Sequence, residues 1–149
     1  MSNKRRIYVV EDHPIMRKGY RYLIDAEMDL EVCGEAGSAM GALAEIPEVE
    51  PDLIIVDISL EGMSGLELIK RLQSLYPDLL ILIISAHDEA LFGERGLRAG
   101  AHGYIMKSEV DDVVITAIRR VLEGGYFVSE EMNTRIMRQF QQGNWDLED

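Results

Sequence analysis

Three carboxylates that follow two short apolar runs are the residues of this chain best suited to chemistry. Glu11 and Asp12 follow the run at 7–10, and Asp57 closes the run at 53–56. Short apolar runs of this kind are typical of buried strands, which would carry the carboxylates to one edge of a sheet. Two unit charges about 4 Å apart repel by about 4 kcal/mol at an effective dielectric near 20. The sequence therefore predicts a neutralising cation, and Mg²⁺ is the first candidate because it prefers oxygen ligands.

Two more polar side chains follow apolar runs in the same way. Ser85 ends the run at 79–84, and Lys107 follows the run at 103–106. A carboxylate can act as a nucleophile and form an aspartyl phosphate, and phosphoryl transfer needs mainly positioning and charge neutralisation. A lysine and a serine hydroxyl could pair with the phosphoryl oxygens. Singly, each group also has an ordinary interpretation: an acidic helix cap, a surface lysine or a turn serine.

The elements that must position these groups alternate along the chain. Strands are predicted at 6–11, 30–35, 52–57, 79–85 and 103–106. Helices are predicted to follow them: from His13-Pro14 to about residue 24, from Ser38 to Ile46 before Pro47, from about residue 66 to Tyr76-Pro77, at 88–99, at 109–123, and from Ser129 to about Gln142. Apolar strands that alternate with helices indicate a parallel sheet covered on both faces. Ligand sites of such sheets lie at the carboxyl ends of the strands, where these polar side chains fall.

Composition limits the class of protein. The 149 residues suit one domain, and 47% of them are apolar, which is enough for a full core. The net charge of −12 disfavours direct nucleic-acid binding by this chain. No apolar run approaches the roughly 20 residues that span a bilayer. The single cysteine, Cys33, is expected to be a buried free thiol, and we expect a cytoplasmic protein.

Four segments of the sequence resemble a response-regulator receiver domain. They are Ile7-Tyr8-Val9-Val10-Glu11-Asp12-His13-Pro14, Pro51-Asp52-Leu53-Ile54-Ile55-Val56-Asp57, Ile83-Ile84-Ser85-Ala86 and Gly100-Ala101-His102-Gly103-Tyr104-Ile105-Met106-Lys107. The Glu-Asp-His-Pro opening and the stretch at 124–129 resemble the NarL/FixJ (LuxR-type) subfamily in particular. The resemblance implies a doubly wound five-stranded α/β fold with strand order 2-1-3-4-5, as in flavodoxin-like and CheY-like proteins. It places the receiver domain at 1–125 and a linker helix with a frayed end at 126–149.

The resemblance also implies a role for each candidate residue. Asp57 would accept the phosphoryl group, and Lys107 would pair with that group. Ser85 would be the switch hydroxyl, and Tyr104 the aromatic switch. The Mg²⁺ site would comprise Glu11, Asp12, Asp57 and the main-chain carbonyl of Ser59. Ser59 and His87 lie where the family tunes the lifetime of the phosphorylated state.

The implied function is that of a signalling module rather than an enzyme with an external substrate. A sensor histidine kinase would donate the phosphoryl group, the chain would catalyse only its own phosphorylation and dephosphorylation, and a homodimer could form on phosphorylation. The output would be transcription through a helix-turn-helix domain absent from this chain. The alternatives are a stand-alone receiver that acts through protein contacts and a pseudo-receiver that is never phosphorylated. A phosphatase of the haloacid-dehalogenase kind would need a second aspartate where Ser59 stands.

Overall fold

The computed structural model describes residues 3–86 and 89–143. Its strands are β1 Arg5–Val10, β2 Leu30–Ala36, β3 Leu53–Asp57, β4 Leu80–Ser85 and β5 Gly103–Met106. Its helices are α1 Pro14–Asp25, α2 Ala39–Val49, α3 Gly65–Leu75, α4 Glu89–Ala99, α5 Val110–Leu122 and α6 Glu130–Gln141, with a 3₁₀ turn at Lys107–Glu109. The predicted alternation of strands and helices is confirmed, and the strand ends differ from the prediction by about one residue. His87 and residues 144–149 lie outside the described part of the chain.

The five strands form one parallel sheet in the predicted order β2-β1-β3-β4-β5. The register brings the carboxyl ends of neighbouring strands level with one another. Val10 pairs with Val56, Asp57 pairs with Ile84, and Ser85 pairs with Met106. The chain reverses its direction of winding between β1 and β3, which is where a doubly wound sheet opens a crevice for a ligand.

Each face of the sheet has its own apolar core because side chains alternate along a strand. Ile54 and Val56 of β3 lie in the core that α2, α3 and α4 cover. Leu53 and Ile55 lie in the other core, under α1 and α5. Helices therefore cover both faces, as the apolar strands predicted. Among the described residues, no helix is both long and apolar enough to cross a membrane.

The end predicted for the second helix was wrong. Pro47 was expected to stop the helix at Ile46, but α2 continues to Val49 with the proline inside it. Proline removes one main-chain donor, yet Ile46 stays buried and accepts a hydrogen bond from the N–H of Glu50 at 2.9 Å. Glu50 then ends the helix in the left-handed conformation, at φ 52°. Packing of the last turn thus outweighs the loss of one hydrogen bond.

Burial is incomplete at Cys33 and along the sixth helix. Cys33 is partly rather than fully buried, although burial still raises the pKa of its thiol to about 11. The apolar residues Met132, Ile136, Met137 and Phe140 of the sixth helix are spaced to lie on one face. Met132 is buried, but Met137 and Phe140 are more than half exposed. Along the apolar face of α6, Met132 is therefore the residue that is fully buried.

Candidate functional site

The acidic residues of the first and third strands meet at the carboxyl edge of the sheet. Asp57 is the last residue of β3 and Glu11 directly follows β1, and each is only 1% exposed. Asp12 lies beside them with a side chain that is 27% exposed. Glu11, Asp12, His13 and Asp57 each offer one ligand atom, and these four atoms lie within 4.8 Å of one another. The convergence predicted from the two strand ends is therefore what the structure has.

Lys107 supplies the positive charge of this cluster. Its Nζ atom lies 3.0 Å from Asp57 Oδ2 and 3.2 Å from Glu11 Oε1. Burial by itself lowers the pKa of Lys107, but the two carboxylates outweigh that effect and raise it. The ammonium group therefore stays protonated and joins the two buried carboxylates. One cation faces two fully buried anions, so the centre of the site is short of positive charge.

The surroundings of Glu11 favour the neutral form of its carboxyl group. Burial raises the pKa of its carboxyl group, the hydrogen bond from His13 opposes that effect, and the charge of Asp57 raises the pKa further. The His13 Nδ1 atom lies 2.9 Å from Glu11 Oε2 and 3.0 Å from Asp12 Oδ1. The hydrogen bond to Glu11 raises the pKa of the imidazole, and the charge of Asp12 adds to it. The two carboxylates thus favour the protonated form of His13, whose positive charge lies on the solvent side of the acidic pair.

The other residues singled out in the sequence occupy distinct places around Asp57. The main-chain N–H of Ser59 donates to Asp57 Oδ1 at 2.9 Å. Ser85 ends β4 and is fully buried. Tyr104 lies in β5, three residues before Lys107, with its side chain buried in the core beneath α3 and α4. The structure brings Glu11, Asp12, Asp57 and Lys107 into contact range, whereas Tyr104 belongs to the core behind them.

The N-cap residue of α1 and two residues within that helix support the acidic pair, and none of the three was predicted to lie at the site. Besides His13, which begins the helix, the Arg17 Nη1 atom donates to the main-chain oxygen of Glu11 at 2.7 Å. The Tyr20 hydroxyl donates to Glu11 Oε1 at 3.5 Å. The spacing 13, 17 and 20 puts all three on one face of a helix. That periodicity, read together with the acidic pair that precedes it, is the signal that could have found them.

A glycine lets α3 begin directly behind Asp57. A Cβ atom on Gly65 would lie 2.6 Å from the Asp57 main-chain oxygen and 2.6 Å from Ile58 Cα. These are main-chain atoms, which cannot move aside without shifting β3. The loop from Asp57 to α3 therefore needs glycine at this position in order to return so closely past the strand end.

The donor set suits a divalent cation that prefers oxygen. Asp12 Oδ1 is buried and accepts no hydrogen bond from any described residue, although His13 Nδ1 is near it. A buried carboxylate oxygen without a donor is costly unless something else neutralises it. The ligand atoms of three carboxylates are already grouped, and Lys107 occupies one side of the group. These residues fit Mg²⁺, which is commonly bound by one or two carboxylates together with phosphate oxygens and water.

The family model for the response regulator receiver domain matches residues 7–119. The chain belongs to this family, and its fold and relatives are those of NarL/LuxR-type response regulators.

Among the similar proteins is the transcriptional regulatory protein YxjL of Bacillus subtilis, which is 35% identical over 123 residues. That match covers 83% of this chain and 56% of YxjL. The transcriptional activator protein ExaE of Pseudomonas putida is 36% identical over 130 residues, covering 87% of this chain and 61% of ExaE. The chain thus spans less than two thirds of these relatives.

Solved structures agree with the family assignment. The crystal structure of a LuxR-family two-component response regulator from Aurantimonas sp. SI85-9A1 is 32% identical and superposes with a TM-score of 0.83. That match covers 91% of this chain and 97% of the other. The apo receiver domain of RcsB from Salmonella enterica superposes with a TM-score of 0.82 at 20% identity, a likeness of fold.

Proposed function

We propose that this chain accepts a phosphoryl group on Asp57 from the phosphohistidine of a sensor kinase. The main support for this proposal is that Asp57 is buried at a strand end and both of its carboxylate oxygens have donors. Its Oδ2 atom lies 3.0 Å from Lys107 Nζ, and its Oδ1 atom lies 2.9 Å from the main-chain nitrogen of Ser59. Both oxygens are held by donors, so the carboxylate has one fixed orientation. A fixed carboxylate in a water-poor site is the arrangement that phosphoryl transfer requires.

The transfer is a substitution at phosphorus. An oxygen of Asp57 forms a bond to phosphorus, the bond from phosphorus to the donor histidine breaks, and the leaving imidazole keeps that electron pair and takes up a proton. Lys107 then has a phosphoryl oxygen to pair with in place of the carboxylate oxygen. Ser85, buried at the end of the neighbouring strand, is the hydroxyl that would move to the phosphoryl group.

Glu11, Asp12, Asp57 and the main-chain carbonyl of Ser59 would hold Mg²⁺ in this site. When bound, the ion supplies neutralisation of the charge shared by the carboxylates and the phosphoryl oxygens. Arg17 fixes the main chain at Glu11 through its 2.7 Å hydrogen bond. His13 shields the acidic pair on the solvent side. The chain catalyses only its own phosphorylation and dephosphorylation, with no external substrate.

The output we propose is control of transcription in the cytoplasm. The relatives YxjL and ExaE are named as a transcriptional regulatory protein and a transcriptional activator. A DNA-binding domain outside this chain would respond to the phosphorylated state of Asp57. Phosphorylation shifts a pre-existing equilibrium between two conformations, in which Ser85 and Tyr104 take part. Phosphorylation would also favour a homodimer. The strongly acidic chain itself would make no contact with DNA.

Incubation with acetyl phosphate and Mg²⁺, followed by intact-mass measurement, tests the phosphoacceptor. Wild type and the Asp78→Asn control should each gain the mass of one phosphoryl group, because Asp78 is exposed and precedes β4 at the opposite end of the sheet. Asp57→Asn should gain none. Equal labelling of Asp57→Asn and wild type would show that another residue is the acceptor. Failure of the wild type to gain mass would make the chain a pseudo-receiver.

A further inference from the structure

A cavity of about 740 Å³ lies at the amino end of the sheet, opposite the acidic site. We call it the basal groove. It lies between the segments 46–52 and 75–80, and Arg5 completes its lining. Asp52 directly precedes β3 and Asp57 ends that strand, so about 17 Å of extended chain separates the groove from the acidic site. The volume falls within the range of about 300–1,000 Å³ that is typical of ligand sites.

The floor of the basal groove is apolar. Ile46 and Leu79 line it and are buried in the domain, whereas the Leu75 side chain beside them is 60% exposed. Three further lining residues are prolines, whose rings fix the main chain. A surface with a fixed main chain loses little conformational entropy when it binds a ligand. The groove therefore offers a largely preformed apolar contact.

The rim of the basal groove is acidic. It carries the carboxylates of Glu50, Asp52 and Asp78 and one guanidinium group, that of Arg5. Arg5 Nε lies 3.5 Å from Asp52 Oδ2, and the main-chain N–H of Arg6 donates to the same oxygen at 2.8 Å, so the charges of Arg5 and Asp52 offset each other. Glu50 and Asp78 are exposed and form no ion pair with any residue that the structure describes. The rim is thus left with two unmatched negative charges.

Two helix ends add to the negative potential of the groove. The helix α2 ends at Val49 and α3 ends at Leu75, and neither has a basic residue in its last turn. The carboxyl end of a helix carries a partial negative charge. Pro51 and Pro77, which follow the two helices, have no N–H to donate to the terminal carbonyl groups. Arg6 Nη2 donates to the Val49 oxygen at 3.0 Å and covers one of those groups. The groove therefore favours a cation.

We propose that the basal groove binds a short segment of a protein partner in which an arginine or lysine adjoins an aliphatic or aromatic residue. The apolar side chain would lie against Leu75 and the proline rings, and the cation would pair with Glu50 and Asp78. A guanidinium group suits this role because it is weakly hydrated and matches the geometry of a carboxylate. The same carboxylates would repel an acidic segment, which gives the groove its selectivity. The inference is independent of phosphorylation, because Asp57 lies at the other end of the sheet.

Titration of the isotope-labelled full chain with the peptide acetyl-Arg-Leu-Arg-amide, followed through its amide NMR signals, tests the proposal. The signals of the segment 75–80 should shift and saturate. The neutral peptide acetyl-Gln-Leu-Gln-amide should bind about fivefold more weakly, and acetyl-Glu-Leu-Glu-amide should cause no saturable shift. Equal affinity for the three peptides, or no saturable shift with the arginine peptide, would overturn the proposal.

A matched pair of double variants tests the acidic rim. Glu50→Gln combined with Asp78→Asn removes both unmatched charges and should weaken binding of the arginine peptide by about fivefold. Asp111→Asn combined with Glu123→Gln removes two exposed charges at the ends of α5 and should leave the affinity at the wild-type value. Equal affinities of the two double variants would show that the rim carboxylates do not hold the cation.

The apolar contact has its own matched pair. Leu75→Ser should weaken binding of the arginine peptide by about three- to fivefold, because the leucine of the peptide loses an apolar partner. Met28→Ser changes a side chain that is 91% exposed outside the groove and should have no effect. Equal affinities would contradict the apolar contact. Light scattering of the chain alone excludes another occupant: self-association that the Glu50→Gln, Asp78→Asn variant abolishes would show that the groove binds a second copy, and would overturn the proposal.

Discussion

The excess of negative charge at the centre of the site predicts that Lys107→Met will destabilise the protein strongly. Mg²⁺ is predicted to restore much of that stability. The ammonium lies 3.0 Å from one buried carboxylate and 3.2 Å from the other. At an effective dielectric near 20, each contact is an attraction of about 5 kcal/mol before the cost of desolvation. Methionine keeps most of the length of the lysine side chain and removes the positive charge between Glu11 and Asp57. Removing one partner of such a buried group typically costs about 3–5 kcal/mol.

The assay is thermal unfolding at neutral pH in the presence of EDTA. For a chain of about 150 residues, this loss corresponds to a fall in Tm of roughly 10 °C. Mg²⁺ should restore much of the stability of Lys107→Met, because a ligand that binds only the folded state stabilises it. Lys107→Arg, which retains the charge, should lose much less. The reasoning is refuted if Lys107→Met has the same Tm as the wild type in EDTA. It is also refuted if Mg²⁺ leaves the Tm of Lys107→Met unchanged.

Two further predictions concern the packing behind Asp57 and the reactivity of Cys33. Gly65→Ala should lower the free energy of unfolding in urea by about 1–3 kcal/mol, since its Cβ would meet main-chain atoms of β3. Gly19→Ala, in an exposed helical position with open space around it, should raise that free energy by about 0.5–1 kcal/mol, and equal effects would contradict the packing argument. The thiol of Cys33, whose pKa is raised from 9.0 to about 11, should hold about 100-fold less thiolate at pH 8 than an ordinary cysteine. Its reaction with a disulfide reagent should therefore be slow in the folded protein and should become faster as the pH rises toward 11. In urea, the same reaction should be fast. Equal rates in the folded and unfolded protein would contradict the raised pKa.

The parallel sheet was predictable because its signals are local. The strand of Leu53–Asp57 is a continuous apolar run, which is typical of a strand buried on both faces. Its acidic end pointed to the carboxyl edge of the sheet. The end of α2 was not predictable from Pro47, because burial of Ile46 in the core decided it. A local rule about proline competes there with contacts that are distant in the sequence.

The support of Glu11 by α1 was only half visible in the sequence. Helical spacing could have placed Arg17 and Tyr20 on one face, but nothing local shows that this face meets the acidic pair. The docking of α6 on α4 was equally out of reach. Gln139 of α6 donates a hydrogen bond to Glu94 of α4, which is 45 residues away, and no pattern in either helix indicates which surface of the domain the other will cover.

The sequence by itself determined the inventory of the site and the fold that assembles it. Carboxylates, serine and lysine each stand at the end of an apolar run, and one alternation of strands and helices places those ends at one edge. Only the tertiary structure decided the distances: Lys107 within 3.2 Å of two carboxylates, Asp57 and Glu11 both 1% exposed, and α6 lying against α4. The physical reason is that periodicity records which face of an element is buried. Charge balance and docking depend on what lies opposite that face, and only the packed fold brings those groups together.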